Sequence, residues 1–241
     1  MRLADLLEKY KIKGTFFIPA RNIGKELSQT DLILLSETHE VGSHSVTHLH
    51  LTELNEVDLL REIFLSKASI EKCIGKKVGS FAYPKGLFDD RVIEIVKRSG
   101  YACARTTHLF DIGTYSDPFR IGTTLEAKKL PLRITVQFIQ RFYPIMSRYF
   151  SVPNTYLSLV RRDWVVLAKQ LFDLVHYRGG IFHLWGHSWV VDRNDDWGKL
   201  EDLMAYISNH NDVSYFSLGE LVSYLNQGKR DVTPFELESL Q

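Results

Sequence analysis

Two imidazoles four residues apart, His44 and His48 in the run Gly42-Ser43-His44-Ser45-Val46-Thr47-His48-Leu49-His50, are the side chains best placed by type and spacing to do chemistry in this 241-residue chain. Positions i and i+4 of one helical turn point the same way, and neutral imidazole is a common protein ligand for zinc and its neighbours. The spacing alone is a weak signal, since nine histidines in 241 residues produce close pairs by chance. The flanks strengthen it. Glu40-Val41-Gly42-Ser43-His44 reads as a short buried strand ending in a histidine, followed by a turn that carries His48. The C-terminal end of a strand is where α/β barrels place their chemistry.

The elements that must position these residues follow from hydrophobic periodicity. Short β-rich runs alternate with longer helical ones, which predicts βα units and a parallel sheet. Strands are expected at 14–18, 40–43, 80–83, 101–105, 180–185 and 213–216. Residues 54–74 carry Val57, Leu60, Ile63, Phe64, Ala68 and Ile70 at helical spacing, and 89–98 repeat the pattern with Val92, Ile93, Ile95 and Val96. Gly75 and Gly100 stand where those helices should stop.

With these motifs in order, the chain resembles the polysaccharide deacetylase family, which includes chitooligosaccharide and peptidoglycan N-acetylglucosamine deacetylases. Lys11-Ile12-Lys13-Gly14-Thr15-Phe16-Phe17-Ile18 resembles that family's second strand, and His44 and His48 match its two metal-binding histidines. Phe81-Ala82-Tyr83-Pro84-Lys85-Gly86 is similar to its third motif. Phe182-His183-Leu184-Trp185-Gly186-His187-Ser188-Trp189 is similar to its last motif, a strand ending in the catalytic histidine. Val213 to Leu221 is similar to the strand and helix that close many members.

The resemblance implies a distorted (β/α)7-type barrel of α/β class, forming a single catalytic domain over 1–241. It also implies a divalent metal, zinc, held by His44 and His48, with His187 as the catalytic acid. Tyr83 and Pro84 would form a groove wall; Trp185 and Trp189 would line the substrate pocket or belong to the core. One piece of the pattern is absent. The family's Thr-Phe-Asp-Asp-Gly strand supplies a general base and the third metal ligand, yet Asp89-Asp90 is followed here by Arg91 and Asp195-Asp196 by Trp197. The chain opens on Met1-Arg2-Leu3-Ala4-Asp5-Leu6-Leu7-Glu8-Lys9-Tyr10, which already reads as the first helix. A barrel missing its first strand and a metal site missing its carboxylate are therefore expected, with self-association through the exposed strand edge. Other departures are Ala82, where many members carry an arginine, and Val190, where an acidic residue often follows.

Composition narrows the field. A hydrophobic content of 44% supports a sizeable core, and a net charge of +1 gives no global field to recruit nucleic acid or an anionic membrane. Cys73 and Cys103 are too few for a disulfide framework and read as buried small hydrophobes. Asp5, Glu8 and Lys9 interrupt any signal-peptide core, and no apolar run reaches the ~18 residues of a spanning helix. The expected location is cytoplasmic, unless an export signal lies upstream of Met1.

Residues 125–177 break the βα alternation. Lys128, Lys129, Arg133, Arg141 and Arg148 interleave with Phe138, Phe142, Tyr143, Tyr149 and Phe150. This is either a basic and aromatic grip for a glycan or phosphate backbone, or an amphipathic helical excursion packed on the barrel; 157–177 read as an ordinary helix. Glu40, Asp111, Asp117 and Asp192 are the carboxylates available to replace the base. His183 is expected to orient or pack, His50 to face away from the metal, and His39, His108, His176 and His210 to sit at the surface or in caps. Three functions stay open: a metal-dependent deacetylase of N-acetylated glycans, a cyclic-amide hydrolase of the same superfamily, and a non-catalytic glycan-binding protein that kept the fold.

Overall fold

The structure, a computed structural model, describes residues 1–113, 115–129, 131 and 163–227. Expectations about the basic and aromatic residues of 132–162 lie outside the described residues. In chain order the helices are α1 Arg2–Lys9, α2 Gln29–Thr38, α3 Glu56–Ile74, α4 Asp90–Arg98, α5 Trp164–Arg178, α6 Ser188–Arg193, α7 Trp197–Ile207 and α8 Leu218–Asn226. The strands are β1 Thr15–Ile18, β2 Glu40–Ser43, β3 Ser80–Ala82, β4 Cys103–Arg105, β5 Leu125–Glu126 and β6 Leu184–Trp185. The described residues fall into two compact units, one from 1–108, 115–122 and 214–227, the other from 109–113, 123–129, 131 and 163–213.

In the first unit the four strands run parallel in the order β1-β2-β3-β4. β1 pairs with β2 from Thr15 opposite Glu40 to Ile18 opposite Ser43, and β3 pairs with β4 from Ser80 opposite Cys103 to Ala82 opposite Arg105. The helices start where side-chain caps satisfy their first N–H groups. The oxygens of Ser28, Asn55 and Asp89 accept from Asp31, Asp58 and Val92 at 3.0, 3.0 and 2.8 Å. α3 stops at Gly75, which takes a left-handed φ of 69°. Leu32 of α2, Leu59 and Ile63 of α3, Phe81 of β3 and Val92 of α4 are fully buried between helices and sheet.

The second unit packs α5 against α7 and carries the parallel pair β5 and β6, Leu125 opposite Leu184. Trp164, fully buried, donates its indole N–H to Asp196 at 3.3 Å. The strand expected at 180–185 shrinks to two residues. The Thr124 hydroxyl takes the His183 N–H at 2.9 Å, and Ile181 donates instead to the Ile112 carbonyl at 3.1 Å. Residues 213–216, also expected to be a strand, run as irregular backbone into the α8 capping box of Ser217 and Glu220.

Glu40 ties three distant segments of the first unit together. One carboxylate oxygen accepts from the Thr15 hydroxyl at 2.8 Å and from the Gly219 N–H at 2.9 Å, and the other accepts from the Ser80 hydroxyl at 2.5 Å. Along β2, Gly42 admits the Phe17 ring, since a Cβ there would lie 2.6 Å from two ring carbons. Glu40→Ala and Gly42→Ala are each expected to destabilise the protein by about 1–3 kcal/mol, the first by orphaning partly buried donors and the second by overpacking. Denaturant titration of each variant beside the parent checks this; an unchanged midpoint for either would show that the contact contributes nothing.

Candidate functional site

His44 extends β2 by one rung, its N–H donating to the Ile18 carbonyl at 3.1 Å. The chain then leaves the sheet through two left-handed residues, Ser45 at φ 61° and His48 at φ 62°. The two imidazoles therefore do not share a helical turn. An irregular loop brings them together, with ring centroids 4.6 Å apart and planes at 76°.

Left-handed backbone at non-glycine residues persists only when its surroundings over-determine it, and α3 does this. Glu62 accepts from the Val46 and Thr47 N–H groups at 3.0 and 2.8 Å and from the Thr47 hydroxyl at 2.7 Å. The buried Ser66 hydroxyl donates to the Ser45 carbonyl at 2.8 Å and lies 2.8 Å from the Ser43 hydroxyl. Within the loop, the Ser45 hydroxyl takes the His48 N–H at 2.9 Å. Glu62 and Ser66 escaped sequence reasoning because their partners are backbone groups of a loop whose shape the sequence does not declare.

The donor chemistry of the pair fits a metal. His44 Nδ1 lies 2.7 Å from the Ala82 carbonyl. A carbonyl only accepts, so Nδ1 carries the hydrogen and Nε2 the lone pair, the tautomer arrangement common in metal-bound histidines. Burial pulls the His48 pKa below its ordinary value; its backbone hydrogen bond opposes this, while the nearby charges of Lys85, Arg21 and His50 add to it. The neutral form that binds a metal is thereby favoured. Among the described residues, no further His, Cys, Asp or Glu joins His44 and His48 to make a set of donor atoms mutually within 4.8 Å.

Tyr83, expected at a groove wall, is buried at 2% exposure. Its ring stacks on Phe88 with centroids 4.7 Å apart, its hydroxyl donates to the Phe119 carbonyl at 2.9 Å, and its N–H donates to the Arg105 carbonyl at 3.3 Å. Desolvation pushes its phenol pKa up. Pro84 is buried too, opening a short turn whose next residue, Lys85, has φ 56°. Lys85 donates to His50 Nε2 at 2.7 Å, and His50 Nδ1 lies 3.0 Å from Glu53, so His50 is held in a chain of its own beside the pair.

In the second unit, Trp185 at the end of β6, His187 at the N-cap of α6 and Trp189 in its first turn form one aromatic cluster. The His187 ring lies edge-on to Trp185 at 5.2 Å and stacked on Trp189 at 4.1 Å with planes 24° apart. Trp189 is 58% exposed. His183 contributes backbone pairing, its carbonyl accepting from Thr124 at 2.9 Å. Three of the four candidate replacement carboxylates, Glu40, Asp117 and Asp192, have hydrogen-bond partners of their own. Glu40 clamps the start of β2; Asp117 accepts from the Phe119 N–H at 2.8 Å; Asp192 accepts from the Trp197 indole at 2.5 Å. The Asp111 backbone pairs with Thr123 and Thr124.

Comparison with known proteins finds similarity in sequence over the N-terminal part and in fold over most of the chain. The sequence profile of the polysaccharide deacetylase family matches residues 1–104. A Bacillus cereus peptidoglycan-N-acetylglucosamine deacetylase is 31% identical over 103 residues, covering 42% of this chain and 46% of that protein. The chain thus spans about half the length of this curated relative. A polysaccharide deacetylase-like protein from Mycobacterium smegmatis superposes with a TM-score of 0.69 at 15% identity, covering 100% of this chain and 80% of that one. A CE4 family pseudoenzyme from Bacillus anthracis superposes at 0.52 with 17% identity over 92% of this chain and 59% of its own. These two likenesses concern the fold. Over residues 1–104, the chain is similar to the polysaccharide deacetylase family.

Proposed function

We propose that this protein acts on the N-acetyl groups of a glycan in a metal-dependent amide hydrolysis, with His44 and His48 as two of the metal's ligands. The observation that carries the reading is the pair itself: two imidazoles held ring to ring at the C-terminal end of a parallel strand, one with its tautomer set by the Ala82 carbonyl. The Bacillus cereus relative, a peptidoglycan-N-acetylglucosamine deacetylase, supports the substrate class. When bound, a zinc-like ion supplies Lewis acidity toward the amide carbonyl and lowers the pKa of its water toward ~7. His187 is the proton donor for the departing sugar nitrogen, and the exposed Trp189 ring stacks on the sugar.

The parallel order β1-β2-β3-β4 supports a distorted (β/α)7-type barrel with β1 at an open edge, since among the described residues β1 pairs with β2 alone. A third ligand and a general base are needed besides the two histidines. Lack of the base typically costs ~10²–10⁴ in rate, so the 241-residue chain by itself is a poor catalyst in this reading.

Three measurements test the reading. Zn²⁺ titration of the 241-residue chain should give weak binding that tightens when a strand ending in Asp-Asp-Gly is fused before Met1. The fused protein should deacetylate N-acetylglucosamine oligomers, and His187→Ala should remove most of that activity while leaving Zn²⁺ affinity in place. Cleavage of cyclic amides with no action on the oligomers would instead make this a cyclic-amide hydrolase; oligomer binding without turnover in the fused protein would make it a binding protein.

The loop scaffold gives a second expectation. Glu62→Ala frees three donors around Thr47 and should weaken Zn²⁺ binding by about 10–100-fold, the usual effect of removing an outer-shell support. Equal affinities by calorimetry would mean that Glu62 serves only stability. The open edge of β1 gives a third: light scattering should find dimers or larger species of the 241-residue chain, and a strictly monomeric protein would refute pairing through that edge.

A further inference from the structure

Wholly within the second unit, three side chains that the deacetylase reading leaves unused converge. They are His176 in the last turn of α5, and His210 and Asp212 in the segment after α7. Each offers a ligand atom lying within 4.8 Å of the others. His176 Nε2 is 2.7 Å from an Asp212 carboxylate oxygen, and the His176 and His210 rings meet edge to face with centroids 5.0 Å apart. We propose that His176, His210 and Asp212 form a structural Zn²⁺ site that ties the end of α5 to the segment following α7.

Three features support the assignment. The donors are two imidazoles and one carboxylate, a set suited to zinc with a remaining position for water. The outer contacts match as well. His210 Nε2 lies 3.0 Å from the Tyr206 carbonyl, so Nε2 carries the hydrogen and Nδ1 the lone pair, as in histidines whose second nitrogen is anchored to a backbone carbonyl while the first binds metal. Finally, the buried Phe172 ring flanks both imidazoles, 5.1 Å from His210 and 5.8 Å from His176, and restricts their swing.

Tetrahedral zinc with bonds of ~2.0–2.1 Å separates its ligand atoms by roughly 3.3 Å. The present set, with ligand atoms within 4.8 Å of one another, has to close to about that spacing on binding. For zinc to bind at His176 Nε2, the hydrogen that faces Asp212 moves to Nδ1 of the neutral ring or, from the doubly protonated ring, leaves to solvent. The link would join residues more than thirty positions apart, so occupancy stabilises the folded unit by mass action.

The test uses the full chain carrying His48→Ala, which disables the deacetylase-type pair. Calorimetric titration with Zn²⁺ should still find one saturable site, and the melting temperature should rise with added Zn²⁺. Adding His176→Ala or Asp212→Asn should lower that affinity by at least about tenfold and abolish the thermal shift. Because His48→Ala could disturb folding, the unsubstituted chain is also followed by histidine-ring NMR, where the His176 and His210 signals should move at substoichiometric Zn²⁺. Affinity and melting temperature unaffected by His176→Ala and Asp212→Asn, or ring signals of His176 and His210 that stay in place as Zn²⁺ is added, overturn the proposal.

Discussion

The candidate chemistry of the first unit depends on one carboxylate. A loop that must turn His44 and His48 toward each other cannot remain in the sheet, and once it leaves, its N–H groups lose their ladder partners. Glu62 takes two of them together with the Thr47 hydroxyl, and Ser66, one helical turn further along α3, holds the Ser45 carbonyl. Both reach the loop from one face of a helix whose other positions, Leu59, Ile63 and Ile70, are buried in the core. The apolar packing of α3 thereby sets the orientation of the imidazoles, and the left-handed Ser45 and His48 persist because the helix satisfies the groups that they expose.

Much of this was legible in the sequence, though for uneven reasons. The core helices announced themselves through periodicity and caps: α3 and α4 start one or two residues from their expected bounds, because Asn55 and Asp89 accept the N–H groups that begin them. Strands 40–43 and 80–82 were legible as short apolar runs before turns. Residues 180–183 and 213–216 have the same composition, but their N–H groups are captured by Ile112 and Thr124 or led into a cap, so composition without a ladder partner misled.

The pair His44 and His48 was legible by residue type while its geometry was not, since an i, i+4 count presumes a helix and the loop achieves the same meeting by left-handed bends. Tyr83 shows the converse. It lies in a motif that points to function, yet its ring and hydroxyl are absorbed by Phe88 and Phe119, leaving its backbone at the strand end. His176, His210 and Asp212 had no sequence signal at all, because their proximity is made by the packing of α5 on α7.

The Glu40 clamp also bears on how the chain is made. Two of its partners, Thr15 and Ser80, leave the ribosome early, whereas Gly219 follows 179 residues after Glu40, and the neighbouring bond from Leu218 to Thr15 spans 203. Closing so long a loop costs chain entropy that local contacts do not offset in advance. Until α8 arrives, a nascent first unit holds a carboxylate one partner short and a β1 strand with its C-terminal cover still unsynthesised. That interval, set by the translation of the intervening second unit, is when the N-terminal sheet is most exposed to chaperones and to pairing with other nascent chains.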